Sequence, residues 1–371
     1  MKILCLSIFA ATLAAAPDIQ VVRTPNGGIQ PRAVIDRAGV LHLLYYTGDH
    51  LHGDLFYVES SNFGTTWSSP LRVNSESGSA LSAGTIRGGQ IAIGKNGRVY
   101  VAWNGPSKTQ MAQREAPMLY SRLNDSHATF EPERNLMTHT AGLDGGGAVA
   151  ADSAGHVYVS WHGRDQATPP GEATRQVWIA ESNDNGKTFA AERPAWKEST
   201  GACGCCGMAM FTDSEGIVRV LYRAATANIH RDIYLLTSLH DARAFEGRKL
   251  DTWNINACPM TSMDFAQAGE KVEGAWETAG QVYFEDLTAA TKISAPEVGP
   301  NRKHPRIAIA PNGDTLMAWT EGTGWARGGS LAWQLYDAGG KPLGEKHTAP
   351  GLPAWTFGAV VAKPAGFIVF Y

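Results

Sequence analysis

The stretch GGQIAIGKNGRVYVAW, Gly88 to Trp103, sets two short apolar runs on either side of a turn at Gly97. The second run alternates in character, the period of a strand with one buried face, and a glycine between two such runs marks a hairpin. The unit recurs. It reads PRAVIDRAGVLHLLYY around Gly39, GGAVAADSAGHVYVSW around Gly155 and GMAMFTDSEGIVRVLY around Gly216. It continues as SMDFAQAGEKVEGAW around Gly269, PRIAIAPNGDTLMAW around Gly313 and GAVVAKPAGFIVFY around Gly366. The turn glycines lie 58, 58, 61, 53, 44 and 53 residues apart. An aromatic closes each unit: Tyr45, Trp103, Trp161, Tyr222, Trp276, Trp319 and Tyr371. Seven hairpins at near-regular spacing do not fit one sandwich, whereas blades repeated about an axis do. The expected fold is all-β, a propeller of four-stranded antiparallel blades. The hairpin count favours seven blades, the last incomplete and closed by the N-terminal IQVVR, Ile19 to Arg23; six is the alternative.

Composition agrees. The 371 residues include 41 Gly and 19 Pro with 18% charged, a balance that suits short strands and tight turns rather than long helices. The net charge of −3 comes with no Lys/Arg run, which excludes an electrostatic nucleic-acid partner and an anionic membrane surface. Lys2, the apolar run Ile3 to Leu13 and the exit Ala14, Ala15, Ala16 have the parts of a secretory signal peptide, too short to span a bilayer. The expected organisation is therefore a signal at residues 1–16 and a single propeller domain at 17–371, exported to a periplasmic or secreted location. No membrane insertion is expected. Cys5 would leave with the signal, and four cysteines would stay in an oxidising compartment.

A second pattern runs in phase with the hairpins. SSNFGTTW, Ser60 to Trp67, and SNDNGKTF, Ser182 to Phe189, share the frame Ser-x-Asn/Asp-x-Gly-x-Thr-aromatic; LNDSHATF and SLHDARAF keep part of it. The third residue can accept N–H bonds of its own turn and the glycine permits positive φ. These octets resemble the Asp-box, or bacterial neuraminidase repeat, of the sialidase-like β-propeller superfamily, and the resemblance covers nearly all of the chain after residue 16. It implies that Asn62 and Asp184 are structural, on the face opposite the active site.

In a propeller, the starts of the innermost strands and the ends of the next strands share one face around the channel. That face should carry Arg32, Asn104, His162, Arg223, Glu277 and Arg306, with Tyr46, Asp49, Arg231 and Asp232 in or near its loops. Such a mixture of cations and acids suits a glycan or another small anionic ligand, and a protein partner is a further candidate. By the resemblance, three arginines would hold a carboxylate, a task for which the planar guanidinium fork is suited. Arg32, Arg223 and Arg306 are the candidates, with Arg231, Asp232, His162 and Asn104 as further ligand contacts. Glu277, Asp49 and Tyr46 are the candidates for acid/base and nucleophilic work. The sequence departs from the family in reading Pro31-Arg32-Ala33-Val34 where an Arg-Ile-Pro is usual, and no tyrosine of the last blade fills the nucleophile position.

The segment GACGCCG brings Cys203, Cys205 and Cys206, answered by Cys258 in NACPM; both precede innermost strands of consecutive blades. Four cysteines in an exported protein favour disulfides, and four allow three pairings. Copper is the competing reading, because Met208, Met210, Met260 and Met263 flank the same cysteines and thiolate with thioether is a soft ligand set. No spacing indicates zinc, and no cofactor is expected. Three functional classes stand open: a sialidase-like exo-glycosidase, a non-catalytic binding or scaffold propeller, and a copper or redox site at the cysteines.

Overall fold

In a computed structural model, which describes residues 17–107, 115–239, 242–299 and 301–371, the turn glycines fall between the first and second strands of successive sheets. All seven take positive φ, from 59° at Gly269 to 138° at Gly366, which a side chain would resist. The expected signal at 1–16, with Cys5, lies outside the described residues.

The innermost strands are Ile29–Ile35, Gln90–Ile93, Ala148–Ala151, Ala209–Thr212, Asp264–Ala268, Lys303–Ile309 and Ala359–Lys363, in blades 1 to 7. Each packs against the innermost strands of its two neighbours, and blade 7 returns to blade 1. Six blades are antiparallel sheets of four strands taken in chain order, blade 3 adding a short strand at Thr140–Ala141. The chain is thus the expected seven-bladed propeller. No helix among the described residues is long and apolar enough to cross a membrane.

The core is divided among the seams. Seven apolar clusters occupy the seven contacts between adjacent blades. The recurring aromatics explain why: Tyr45, Trp103, Trp161, Tyr222, Trp276 and Trp319 are at most 3% exposed and wedge between sheets.

Blade 7 has three strands, and the third is Asp18–Val22, paired parallel to Gly366–Phe370. The direction follows from the path of the chain. Six residues link Val22 to the inner strand of blade 1, which begins on the face where second strands end. A strand that delivers the chain to that face must run as a second strand does. The closure is reinforced by Thr24 N–H to the Tyr371 carbonyl at 2.9 Å, Arg23 over the Tyr371 ring at 3.9 Å and Lys363 to Asp18 at 2.7 Å.

The two octets form one turn, closed by side chains. Asn62 Oδ1 accepts Thr66 N–H at 2.9 Å and Asp184 Oδ1 accepts Thr188 N–H at 2.9 Å, while Ser60 and Ser182 hydroxyls accept Gly64 and Gly186 N–H. Their closing aromatics cross a seam, Trp67 edge-on to Phe370 at 5.8 Å and Phe189 edge-on to Tyr120 at 4.8 Å. Buried carboxylates pin the segments that lead from one blade to the next. Glu133 accepts the N–H groups of Ser75 and Glu76, and Glu192 accepts those of Thr138, His139 and Thr140. Burial alone would raise the Glu192 carboxyl; these amides and two threonine hydroxyls outweigh it and hold it at about 2.

Two outcomes are expected. Phe370→Ala empties the seam between blades 7 and 1 and should cost about 3–5 kcal/mol in urea unfolding; a loss under about 1 kcal/mol would contradict the closure described. The depressed Glu192 carboxyl contributes stability that is present above the ordinary glutamate range and lost as pH falls toward about 2. Glu192→Gln should therefore unfold more easily than wild type at neutral pH, by about 2–3 kcal/mol, with the gap closing as acid is added.

Candidate functional site

The innermost strands of blades 1 and 6 begin with the same irregularity. The pairing skips between Ile29 and Arg32, and again between Lys303 and Arg306, so each strand carries one extra residue in an X-Pro-Arg segment. Gln30 and His304, the residues before the prolines, take φ of 53° and 52°. A bulge re-aims the side chain that follows it. Here both guanidinium groups come to Phe357 at the entry to blade 7, Arg32 at 4.8 Å and Arg306 at 4.4 Å from the ring centre. Positive φ recurs at the corresponding places in other blades, at Thr85, Met260 and Trp355. Each such non-glycine residue stores backbone strain of order 1–3 kcal/mol, a condition that gathers at ligand sites.

The two arginines differ in what holds them. Arg306 donates to the carbonyls of Met263 and Pro305, both at 2.9 Å, and to the Ser262 hydroxyl at 3.0 Å. Arg32 has no acceptor or ion pair among the described residues, and its buried Nε–H is unpartnered. Burial and then the nearby Arg306 push the Arg32 guanidinium well below its ordinary value. Asp264 lies within the field of both arginines and accepts the Ile307 N–H at 3.0 Å; burial pushes its carboxyl upward. An anion at Arg32 would supply the acceptor that the protein does not.

Arg223 is held differently. Its side chain is fully buried, paired to Glu277 at 3.1 Å, and donates to the carbonyls of Arg231 and Glu277. Glu277 spends its other oxygen on Gly280 N–H at 2.6 Å, and burial raises its carboxyl against the pull of Arg223. Arg231 pairs with Glu172 at 2.6 Å, and Asp232 with Lys249 at 2.6 Å. His162, pushed down to about 3 by burial, is neutral and accepts Gly145 N–H at 3.0 Å; the Asn104 amide donates to the same residue's carbonyl at 2.8 Å. Of the seven expected ligand contacts, the structure brings Arg32 and Arg306 together, while the other five brace the rim.

Of the three expected catalytic residues, Tyr46 and Asp49 meet within one hairpin of blade 1, and Glu277 lies apart from them in blade 5. Tyr46 is fully buried in the seam of blades 1 and 2, donates to the Asp49 carbonyl and is pushed up to about 12 by burial. Asp49 occupies the exposed tip of a blade 1 hairpin, and Glu277 lies in blade 5.

Sequence reading missed an aromatic group at the mouth. Trp325, 60% exposed, meets Trp355 edge-on at 4.8 Å, and His50 stacks on Trp355 at 5.6 Å. The two tryptophans border a shallow recess with Thr85, Met260, Lys303 and His304. The Gln30 amide secures it, donating to the carbonyls of Trp355 at 2.7 Å and Ser82 at 2.6 Å. The available signal was negative: these tryptophans fall outside the aromatic position of the repeat.

Cys203, Cys205 and Cys206 converge beside this face, with Sγ separations of 2.9 Å from Cys203 to Cys206 and 3.5 Å from Cys203 to Cys205. The four cysteines among the described residues stand as unbonded thiols, three of them buried and Cys258 exposed.

No protein-family model matches the chain, and no curated protein sequence does. Solved structures match by shape. A protein of unknown function from Dyadobacter fermentans superposes with a TM-score of 0.55 at 13% identity, over 90% of this chain and 96% of that one. Trypanosoma rangeli sialidase in complex with the inhibitor DANA gives 0.52 at 13% identity, over 85% of this chain and 57% of that one. Penicillium chrysogenum α-L-arabinanase complexed with arabinobiose gives 0.50 at 14% identity, over 89% and 94%. The sialidase-like resemblance thus holds at the level of fold.

The Arg223–Glu277 pair yields a direct test. Removing one partner of a buried pair strands the other, so Glu277→Gln should cost about 3–5 kcal/mol in chemical denaturation. Unchanged stability would contradict a structural role for the pair.

Proposed function

We propose that this chain is an exported binding propeller that seats an anionic sugar at its channel mouth. The carboxylate sits against Arg32 and Arg306, and the sugar ring lies against Trp325 and Trp355. The observation that carries the reading is the Arg32 guanidinium, aimed inward by a bulge and without a protein acceptor among the described residues. A half-buried cation with a buried, unpartnered Nε–H favours an anion, and a carboxylate can bridge two guanidinium groups. The exposed Trp325 indole, at the recess that His304 lines two residues before Arg306, offers an apolar face with a polar edge, which suits a pyranose that presents both C–H and O–H groups. Two solved propellers of the same fold, the arabinanase and the sialidase, hold arabinobiose and DANA, in keeping with a carbohydrate ligand. The apolar segment before residue 17 supports export.

Hydrolysis is a second reading, favoured by Asp264. Its carboxyl is pushed upward by burial within the field of Arg32 and Arg306, the condition of a proton donor.

Titration with sialyllactose and with lactose, followed by heat and by tryptophan emission, separates these readings. The acidic trisaccharide should bind and the neutral sugar should not. Arg32→Gln should weaken binding about tenfold or more, as expected for a charged hydrogen bond. Equal affinity for both sugars, or indifference to Arg32→Gln, would reject the carboxylate site. Release of methylumbelliferone from sialoside or arabinofuranoside substrates, abolished by Asp264→Asn, would establish hydrolysis; its absence with binding intact leaves recognition alone.

A further inference from the structure

The cysteine cluster is not used by the sugar site, and its chemistry is of another kind. The Sγ atoms of Cys203, Cys205 and Cys206 all lie within 4.8 Å of one another, close enough to share one ion. They are 1%, 9% and 3% exposed, and Met260 packs against them from the segment that enters blade 5. Cys258, on that same segment two residues before Met260, is exposed. The sulfurs therefore form a file from the surface inward.

Cations surround this file. Arg231 is 3% exposed, lies within the field of Cys203 and Cys206, and has two buried nitrogens, Nε and Nη1, without an acceptor among the described residues. Arg223 acts on Cys206, and Lys303 feels both Cys205 and Cys206. Glu172 and Glu277 offset part of this charge. Buried N–H donors without acceptors are costly beside neutral thiols, but a thiolate cluster would satisfy them.

We propose that Cys203, Cys205 and Cys206 form a buried trithiolate site for Cu(I), with Met260 alongside and Cys258 as the entry ligand. Each ligating thiol releases its proton to solvent, and three thiolates with one Cu(I) leave a net negative group for the surrounding cations. Thiolate and thioether are soft donors, which select Cu(I) over the harder divalent ions. Three buried sulfurs with the fourth at the surface differ from the closed tetrahedral set of structural zinc. The exposed Cys258 gives the ion a sulfur-to-sulfur path inward.

The test uses the full chain, reduced anaerobically, offered Cu(I) in competition with bathocuproine disulfonate and then desalted for metal analysis and copper K-edge absorption. About one Cu(I) per chain should survive the chelator with sulfur as its ligands. Cys206→Ser should lose the ion. Arg231→Gln, which keeps every sulfur, should weaken binding about tenfold, as outer-shell changes do. Cys258→Ser should slow loading and leave the end point unchanged. The proposal is overturned if the reduced wild-type chain takes up no Cu(I), or if it prefers Zn(II) when both are offered. It is equally overturned if protein prepared without reductant has no titratable thiol and peptide mapping finds bridged pairs, Cys203 to Cys206 and Cys205 to Cys258. Because wild-type uptake is read directly, a variant that fails to fold does not decide the matter.

Discussion

A ring of seven sheets holds only if its last sheet meets its first, and here the meeting rests on five residues laid beside five. Asp18–Val22 on Gly366–Phe370 joins the two ends of the chain. Each blade buries its two faces against neighbours, so a ring opened between blades 7 and 1 would expose both walls of that apolar seam to water. The parallel direction is imposed by the same closure, because the strand must also hand the chain to the channel face. The sugar site inherits its order from this arrangement: Arg32 stands a few residues beyond the closing strand, and Phe357 enters the blade that the strand completes.

The repeat was legible because it follows local rules. A turn glycine requires positive φ and a seam requires a large aromatic, and both leave a mark at fixed spacing; the repeat aromatics from Tyr45 to Trp319 are buried. The closing strand was also visible as IQVVR, although its direction was not, since direction depends on where the chain goes next. The channel was read less well. Arg32, Arg223 and Arg306 look equivalent in sequence, each near a strand end. Only the bulges at Gln30 and His304 distinguish the two that meet Phe357 from the one that Glu277 holds. Tyr46 lies in the seam of blades 1 and 2 for a related reason, because adjacent strand residues point to opposite sides and its neighbour Tyr45 follows the repeat. Trp325 and Trp355 lie in loops, where no period operates.

The rim shows two ways of keeping charge in a low-dielectric place. Arg223, Arg231 and Asp232 are paired within the protein and fix blades to one another. Arg32 is left without such a partner, and Arg306 bonds only neutral oxygens through its two terminal nitrogens, its buried Nε remaining unpartnered among the described residues. A fold that pairs most of its buried charge and leaves the Arg32 guanidinium without an acceptor among the described residues has placed an unmet electrostatic demand at the channel mouth.

The direction of the closing strand also determines how the ring bears load. Asp18 begins one strand and Tyr371 follows the end of its parallel neighbour, so the two lie at opposite ends of the same seam. A force that draws them apart pulls along the strands, and the bonds between them must yield together in shear rather than one by one as in a zipper. The join that fastens the propeller is thus oriented as a mechanical clamp.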